Sequence, residues 1–148
     1  MHIRFATKED TPTILSFIQG IAEYERLSHE VETTEQKLLD TLFGEHAYAE
    51  VLLCLEEETP VGFALFFHNY STFRAKPGVY LEDLFVLPQY RNKGYGKALL
   101  NQIIQTAKDR NFGRVEWSVL DWNKPAIEFY ERMGAKAMDE WTVYRITL

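Results

Sequence analysis

Residues 81–100, LEDLFVLPQYRNKGYGKALL, limit the possible folds more than any other stretch of the chain. A run that reads as a strand gives way to Pro88, then to a turn carrying Arg91, Lys93, Lys97 and glycines at 94 and 96. Helical apolar spacing follows at Ala98, Leu99, Ile103, Ile104 and Ala107. Most strand-to-helix connections need only a few polar turn residues. This one concentrates bare backbone and positive charge where a helix begins. The first N–H groups of a helix lack internal partners and carry the positive end of its dipole. Glycines remove the Cβ atoms that would hold an anion away from them. Two readings stand: a pyrophosphate cradle, or a turn whose cations are merely solvated. The Walker spacing G-x-x-x-x-G-K-[ST] is absent, and Leu99 occupies the third glycine position of the dinucleotide pattern G-x-G-x-x-G.

The rest of the chain supplies the elements around this connection. HIRFA at 2–6 reads as a short strand. Thr11 and Pro12 read as a helix start, followed by an apolar face at Ile14, Leu15, Ile18, Ile21 and Ala22. Thr33 and Gln36 form a capping-box pattern for a second helix, TEQKLLDTLF, ended by Gly44. YAEVLLCLEE and PVGFALFFHNY read as two strands joined by a turn around Glu58–Pro60, and GVYLEDLFVL as a third. A helix is expected over Gly94–Arg110, a strand at RVEWSVL, and a helix KPAIEFYERM capped by Asn123 and stopped at Gly134. The tail AKAMDEWTVYRITL reads as one or two closing strands. The order β-α-α-β-β-β-α-β-α-β(β) implies an α/β protein of the α+β type, a mixed sheet with helices on both faces.

At 148 residues the chain fits a single domain, 1–148, able to bury a core without disulfides. The one cysteine, Cys54, allows no internal disulfide framework and favours an intracellular setting. MHIRFATKED lacks the apolar segment of a signal peptide, and no stretch reaches membrane-span length, so the cytoplasm is expected and no membrane partner. A formal net charge of −6 argues against nucleic acid as a partner and suits a cationic small molecule. His2, His29, His46 and His68 show no metal-ligand spacing with one another or with Cys54, so no metal is expected. Cys54, inside an apolar strand, reads as a small core residue.

Arg91-x-x-Gly94-x-Gly96, directly after Leu84-Phe85-Val86, resembles the acetyl-CoA signature of the GNAT N-acetyltransferase superfamily. YLEDLFV at 80–86 and WNKPAIEFYERMGA at 122–135 are similar to the matching segments of the diamine (spermidine/spermine) N-acetyltransferases. AEYERL at 22–27 and FGEH at 43–46 resemble that family's front half. The resemblance implies a mixed, mostly antiparallel sheet splayed around the cofactor and acetyl transfer from acetyl-CoA to a primary amine. It also implies a homodimer. Its most specific implication is a polyamine or diamine acceptor; the alternatives are thialysine or a lysine-like amino acid, an amino-sugar drug, a protein N-terminus, or a CoA-binding module without turnover.

The same resemblance distributes roles. Main-chain groups of Leu84, Phe85 and Val86 would hold the pantetheine arm, while Leu84 and Val86 can also be ordinary core residues. Arg91, Asn92, Lys93, Gly94, Tyr95, Gly96 and Lys97 match the pyrophosphate loop, and Asn123 with Lys124 a second cofactor contact. Tyr130 matches the catalytic tyrosine that also touches the cofactor. A phenol titrating near pH ~10 keeps a proton it can give to a leaving thiolate, although a helix aromatic can equally pack on a sheet. Glu82 matches the group that orients the amine or takes its proton. Asp83, on the opposite strand face by simple alternation, either joins it or forms an ion pair. Tyr24, Glu25, Asp139 and Trp141 match substrate contacts, a carboxylate-and-aromatic set suited to a cation.

Overall fold

The computed structural model describes residues 1–148, which divide into two units, Met1–Trp117 and Ser118–Leu148. In the first unit the chain runs β1 (His2–Phe5), α1 (Thr11–Tyr24), α2 (Glu35–Leu42), β2 (Glu50–Glu56), β3 (Thr59–Ser71), β4 (Lys76–Val86), α3 (Tyr95–Asp109) and β5 (Val115–Trp117). The five strands form one sheet in sequence order. The first three pairings are antiparallel and β4–β5 is parallel. This is the mixed sheet expected from a hairpin-connected front half followed by a β-α-β crossover, since a parallel pair requires a long connection.

Alternation along the strands produces two apolar faces. Val51, Leu53 and Leu55 of β2, Phe63 of β3 and Phe85 of β4 join Ile14 and Phe17 of α1 and Leu38 and Leu42 of α2 in one core cluster. Phe17 lies 5.5 Å from Phe63 and 5.9 Å from Phe85, ring centre to ring centre. Each fully buried side chain such as Phe63 or Ile14 contributes about 1.5–3 kcal/mol. A second set, Leu52 and Cys54 of β2, Ala64 and Phe66 of β3 and Val79 and Leu81 of β4, is also buried, as are Leu99, Leu100, Ile103 and Ala107 of α3. Cys54 is thus the small core residue its strand context implies, and burial raises its thiol pKa. Arg110, just past α3, donates from both guanidinium nitrogens to Glu50 of β2 at 2.7 and 2.8 Å, which fixes that end of the helix.

Several boundaries differ from sequence expectation. The N-cap of α2 is Thr34, whose Oγ1 accepts from the Lys37 N–H at 3.1 Å, one residue later than the capping-box pattern placed it. Thr11 lies inside α1, its hydroxyl donating to the Lys8 carbonyl at 2.6 Å. The β2–β3 turn falls at Glu57–Glu58, with Glu57 at φ 56°. β5 is only three residues long.

The second unit contains α4 (Lys124–Arg132), started by Asn123, whose Oδ1 accepts from the Ala126 N–H at 3.4 Å, and ended before Gly134 at φ 90°. The closing strands expected in 135–148 do not form. The apolar side chains there change parity, Trp141 and Val143 on one, Tyr144, Ile146 and Leu148 on the other, so no single face is specified. All five are exposed.

Candidate active site

The glycine loop assembles as a helix start. Gly94 is the N-cap of α3 with φ 90°, a left-handed conformation that costs other L-residues about 1–2 kcal/mol. The first α3 N–H to find a helical acceptor is that of Ala98, bonded to Gly94 O at 3.0 Å. The N–H groups of Tyr95, Gly96 and Lys97 therefore precede the helix's own ladder. A Cβ added at Gly94 would meet nothing within 4 Å, and one at Gly96 only Val86 Cγ2 at 3.9 Å. No packing inside the protein requires glycine at 96. Gly96, having no side chain, leaves the helix start uncovered.

The loop's side chains are largely engaged elsewhere. Arg91 Nε donates to the Val86 carbonyl at 2.9 Å, and its guanidinium lies 5.0 Å from the centre of the Tyr24 ring and 5.5 Å from that of Phe85. Lys93 Nζ sits 5.3 Å from the centre of the Tyr90 ring. The Tyr95 ring is buried, and its hydroxyl donates to Glu56 Oε1 at the end of β2. That bond, the first of several contributions, pushes the phenol pKa up to about 12. Asn92, Lys93 and Lys97 are exposed. What the loop offers an anion is mainly main chain, with Lys97 near the helix start.

Beside it, β4 has an open edge. β5 pairs only with Val79–Leu81, so from residue 82 onward β4 has a strand on one side alone. Leu84, Phe85 and Val86 pair with Ala64, Phe63 and Gly62 of β3. Their other edge suits an extended pantetheine arm, which can bond to a strand as a peptide would. Phe85's side chain belongs to the core, so any cofactor contact there is through the backbone.

A bulge reshapes the acidic pair. Leu65 pairs with Asp83 and Phe66 with Leu81, leaving Glu82 as an extra residue without a partner on β3. The strict alternation that would separate Glu82 and Asp83 is broken here. The two carboxylates and that of Glu25 act on one another electrostatically. Desolvation first, then the charges of Glu82 and Glu25, raise Asp83 to about 7. Desolvation first, then Glu82, raises Glu25. Of the two roles open to Asp83, the ion pair with a cation does not form. Asp83 and Glu25 face a cleft of about 500 Å³ walled by α1, the 27–33 segment and α2. Glu30, Glu32 and a single cation, Lys37, complete its charged lining. Lys37 Nζ donates to the Glu32 carbonyl oxygen at 2.8 Å.

Residues 14–135 match the Acetyltransferase (GNAT) family. The chain belongs to this family. It is an N-acetyltransferase, and GNAT enzymes take acetyl-CoA as co-substrate. It is 36% identical to L-ornithine N5-acetyltransferase of Arabidopsis thaliana, an alignment covering 98% of this chain and 83% of that protein. It is also 36% identical to thialysine N-epsilon-acetyltransferase of Bos taurus, covering 97% and 90% respectively. Among solved structures, an integron cassette protein from the mobile metagenome of V. cholerae superimposes with a TM-score of 0.82 at 26% identity, covering 99% of this chain and 91% of that one.

The structure of this GNAT enzyme places its remaining candidate residues as follows. Tyr24 is adjacent to Glu25 but lies under Arg91 rather than lining the cleft. Asn123, Lys124, Tyr130, Asp139 and Trp141 belong to the second unit. There, Asn123 is buried and caps α4, Tyr130 is half-buried with its ring 5.4 Å from that of Phe129, and Asp139 and Trp141 are exposed. Sequence reasoning missed Glu30, Glu32 and Lys37 in the cleft, and the Tyr95–Glu56 bond. The first two sit in an irregular segment without periodicity, and Glu56 is 39 residues from its partner.

Proposed function

We propose that the chain acetylates a primary amine of a small cationic substrate, a polyamine or diamine, by direct attack on acetyl-CoA held in the same complex. The observation that carries this reading is the charge of the cleft, where Glu25, Glu30, Glu32 and Asp83 face a single lysine. An ammonium entering it relieves the mutual repulsion of the carboxylates.

Acetyl-CoA, when bound, supplies an activated thioester. The N–H groups at 95–97 and the open edge at Leu84–Val86 fit its diphosphate and its extended arm, with Arg91–Lys97 as the loop. Holding both reactants side by side supplies much of the rate. The amine arrives protonated and must lose a proton before it attacks. The Glu82–Asp83 pair is the proposed acceptor, Asp83 because a carboxyl raised to about 7 is a stronger base than an ordinary one. Glu82, exposed on the bulge, orients the amine. Tyr130 gives its phenolic proton to the leaving sulfur, a role resting on its motif WNKPAIEFYERMGA and on the chemistry of the group. Asn123 and Lys124 are assigned to the cofactor, and Tyr24, Asp139 and Trp141 to the substrate, on the same ground. The exposed apolar tail supports a homodimer, whose mass sedimentation reads directly, and the buried free Cys54 fits the cytoplasm.

A second reading, an amino-acid acceptor such as ornithine or thialysine, is favoured by Lys37, which can take an α-carboxylate. Thiol release measured over putrescine, spermidine, spermine, ornithine, thialysine and lysine decides between them. Diamines should give the higher kcat/KM; the reverse order moves the assignment to amino acids. Silence with every amine, despite acetyl-CoA binding, would point to a non-catalytic CoA module. In the same assay Tyr130→Phe should lower turnover about 100-fold or more while leaving acetyl-CoA affinity within about threefold. Unchanged turnover removes Tyr130 from the chemistry.

A further inference from the structure

The phosphate loop is held in a conformation that a free chain would not keep. Between Arg91 and Tyr95 it contains two left-handed residues, Asn92 at φ 62° and Gly94 at φ 90°. Asparagine and glycine are the residues that tolerate this region, yet a chain free to choose does not hold two of them there unless its surroundings fix it. One end of the loop is fixed by Arg91 Nε on the Val86 carbonyl at 2.9 Å. The other end is Tyr95, the first residue of α3, whose main chain and side chain do different things. Its N–H belongs to the set offered to an anion. Its ring is turned inward, 8% exposed, with the Tyr90 ring packed edge-on at 6.3 Å. Its hydroxyl reaches the carboxylate of Glu56, the last residue of β2, at the hairpin end where Glu57 turns the chain.

We propose that the Tyr95–Glu56 hydrogen bond is a strap that presets the loop for the diphosphate of acetyl-CoA, with Tyr95 and Glu56 as positioning residues that act through the main chain at 94–97. The inference rests on the reading that this loop holds the diphosphate. Binding that must also order a loop is weakened by the cost of ordering it, so a site fixed in advance binds more tightly. Neither the glycine pattern nor the cations require a hydroxyl at position 95. Phenylalanine there would fill the same space, and the carboxylate of Glu56 would lose its donor.

The test is steady-state kinetics of the full chain with two acetyl donors, acetyl-CoA and acetyl-pantetheine, the second lacking the diphosphate. Tyr95→Phe should raise the KM for acetyl-CoA about five- to tenfold, somewhat less than the full effect of one charge-assisted hydrogen bond because the strap acts only through the main chain, and the loss should fall on KM rather than on kcat. Glu56→Gln keeps an acceptor and should lose about twofold. With acetyl-pantetheine the Tyr95→Phe penalty should vanish. An unchanged KM for acetyl-CoA, or a penalty equally large with acetyl-pantetheine, overturns the strap. Should Tyr95→Phe lose its melting transition, Glu56→Ala carries the test, because it removes the acceptor from the hairpin and leaves the loop sequence intact. The underlying reading is tested separately by the unaltered enzyme. If it prefers acetyl-CoA over acetyl-pantetheine by less than about threefold, the loop is not the diphosphate site, and the strap falls with it.

Discussion

The acidic bulge at Glu82–Asp83 and the loop at Arg91–Lys97 stand on one continuous segment, yet they are built on opposite principles. In the loop, two of the three cations are engaged before any ligand arrives. Arg91 is spent on the Val86 carbonyl and two aromatic rings, Lys93 lies over Tyr90, and what remains for an anion is mainly main chain held in place. In the cleft the reverse holds. Asp83 is desolvated beside Glu82 and Glu25, and these together raise its pKa to about 7. An anion site can be made by geometry alone because helix N–H groups carry fixed partial charge. A cation site made of carboxylates stores its unfavourable charge until the cation neutralises it. As proposed, the first site presents main-chain groups that do not titrate, and the second is tuned by proton uptake.

The largest expected effect breaks the loop half of the contrast. Gly96→Leu adds a side chain where the protein has only Val86 Cγ2 at 3.9 Å from the Cβ position. The fold should absorb it, with a melting midpoint within a few degrees of the parent, while the side chain covers the helix start. Acetyl-CoA affinity measured by calorimetry should fall about 100-fold or more, the equivalent of losing several charge-assisted hydrogen bonds. Retention of affinity within about threefold would mean that the anion is held elsewhere. Gly96 is the better position than Gly94, because left-handed strain at 94 would mix a folding cost into the result.

This contrast also explains what could be read from the sequence. The loop, α3 and the end of β4 were legible because glycine spacing and helical periodicity act on neighbouring residues. The family motif, Arg91-x-x-Gly94-x-Gly96, is of this local kind. The cleft was legible only in part. Glu25 came from resemblance and Asp83 from its place beside Glu82, but the bulge that leaves Glu82 unpaired depends on the register between Leu65 and Phe66 of β3. No residue within β4 itself announces that register. Glu30, Glu32 and Lys37 reach the cleft only once α1 and α2 have packed on the sheet. The tail misled for a related reason. Apolar content suggested strands, but strands are made by their partners, and the parity change at Val143–Tyr144 leaves neither face marked.

A smaller effect on rate, and a more discriminating one, comes from the acidic half. Asp83→Asn removes one member of the proposed proton-accepting pair and should lower kcat/KM near neutral pH by about tenfold, less than the loss of a sole general base because Glu82 remains, an effect smaller than that of Gly96→Leu. Stability supplies the independent check, and its sign follows from linkage. Asp83 has a pKa of about 7 in the folded protein and about 3.9 in an unfolded chain. Between those values the folded state holds a proton that the unfolded state has released. Stability from this group is therefore complete below about pH 4, falls as pH rises toward about 7, and is flat above. About three pKa units at ~1.4 kcal/mol each set a ceiling near 4 kcal/mol on that loss. Denaturant melts of the parent at pH 5 and pH 8 should differ more steeply than those of Asp83→Asn. The comparison uses the change with pH, so any fixed cost of burying an amide at 83 cancels. Added spermidine should flatten the parent's slope by stabilising the ionised carboxylate. Parallel slopes for parent and variant would mean that Asp83 is ionised throughout, and the acidic cleft would then be an ordinary solvated surface rather than the tuned half of the pair.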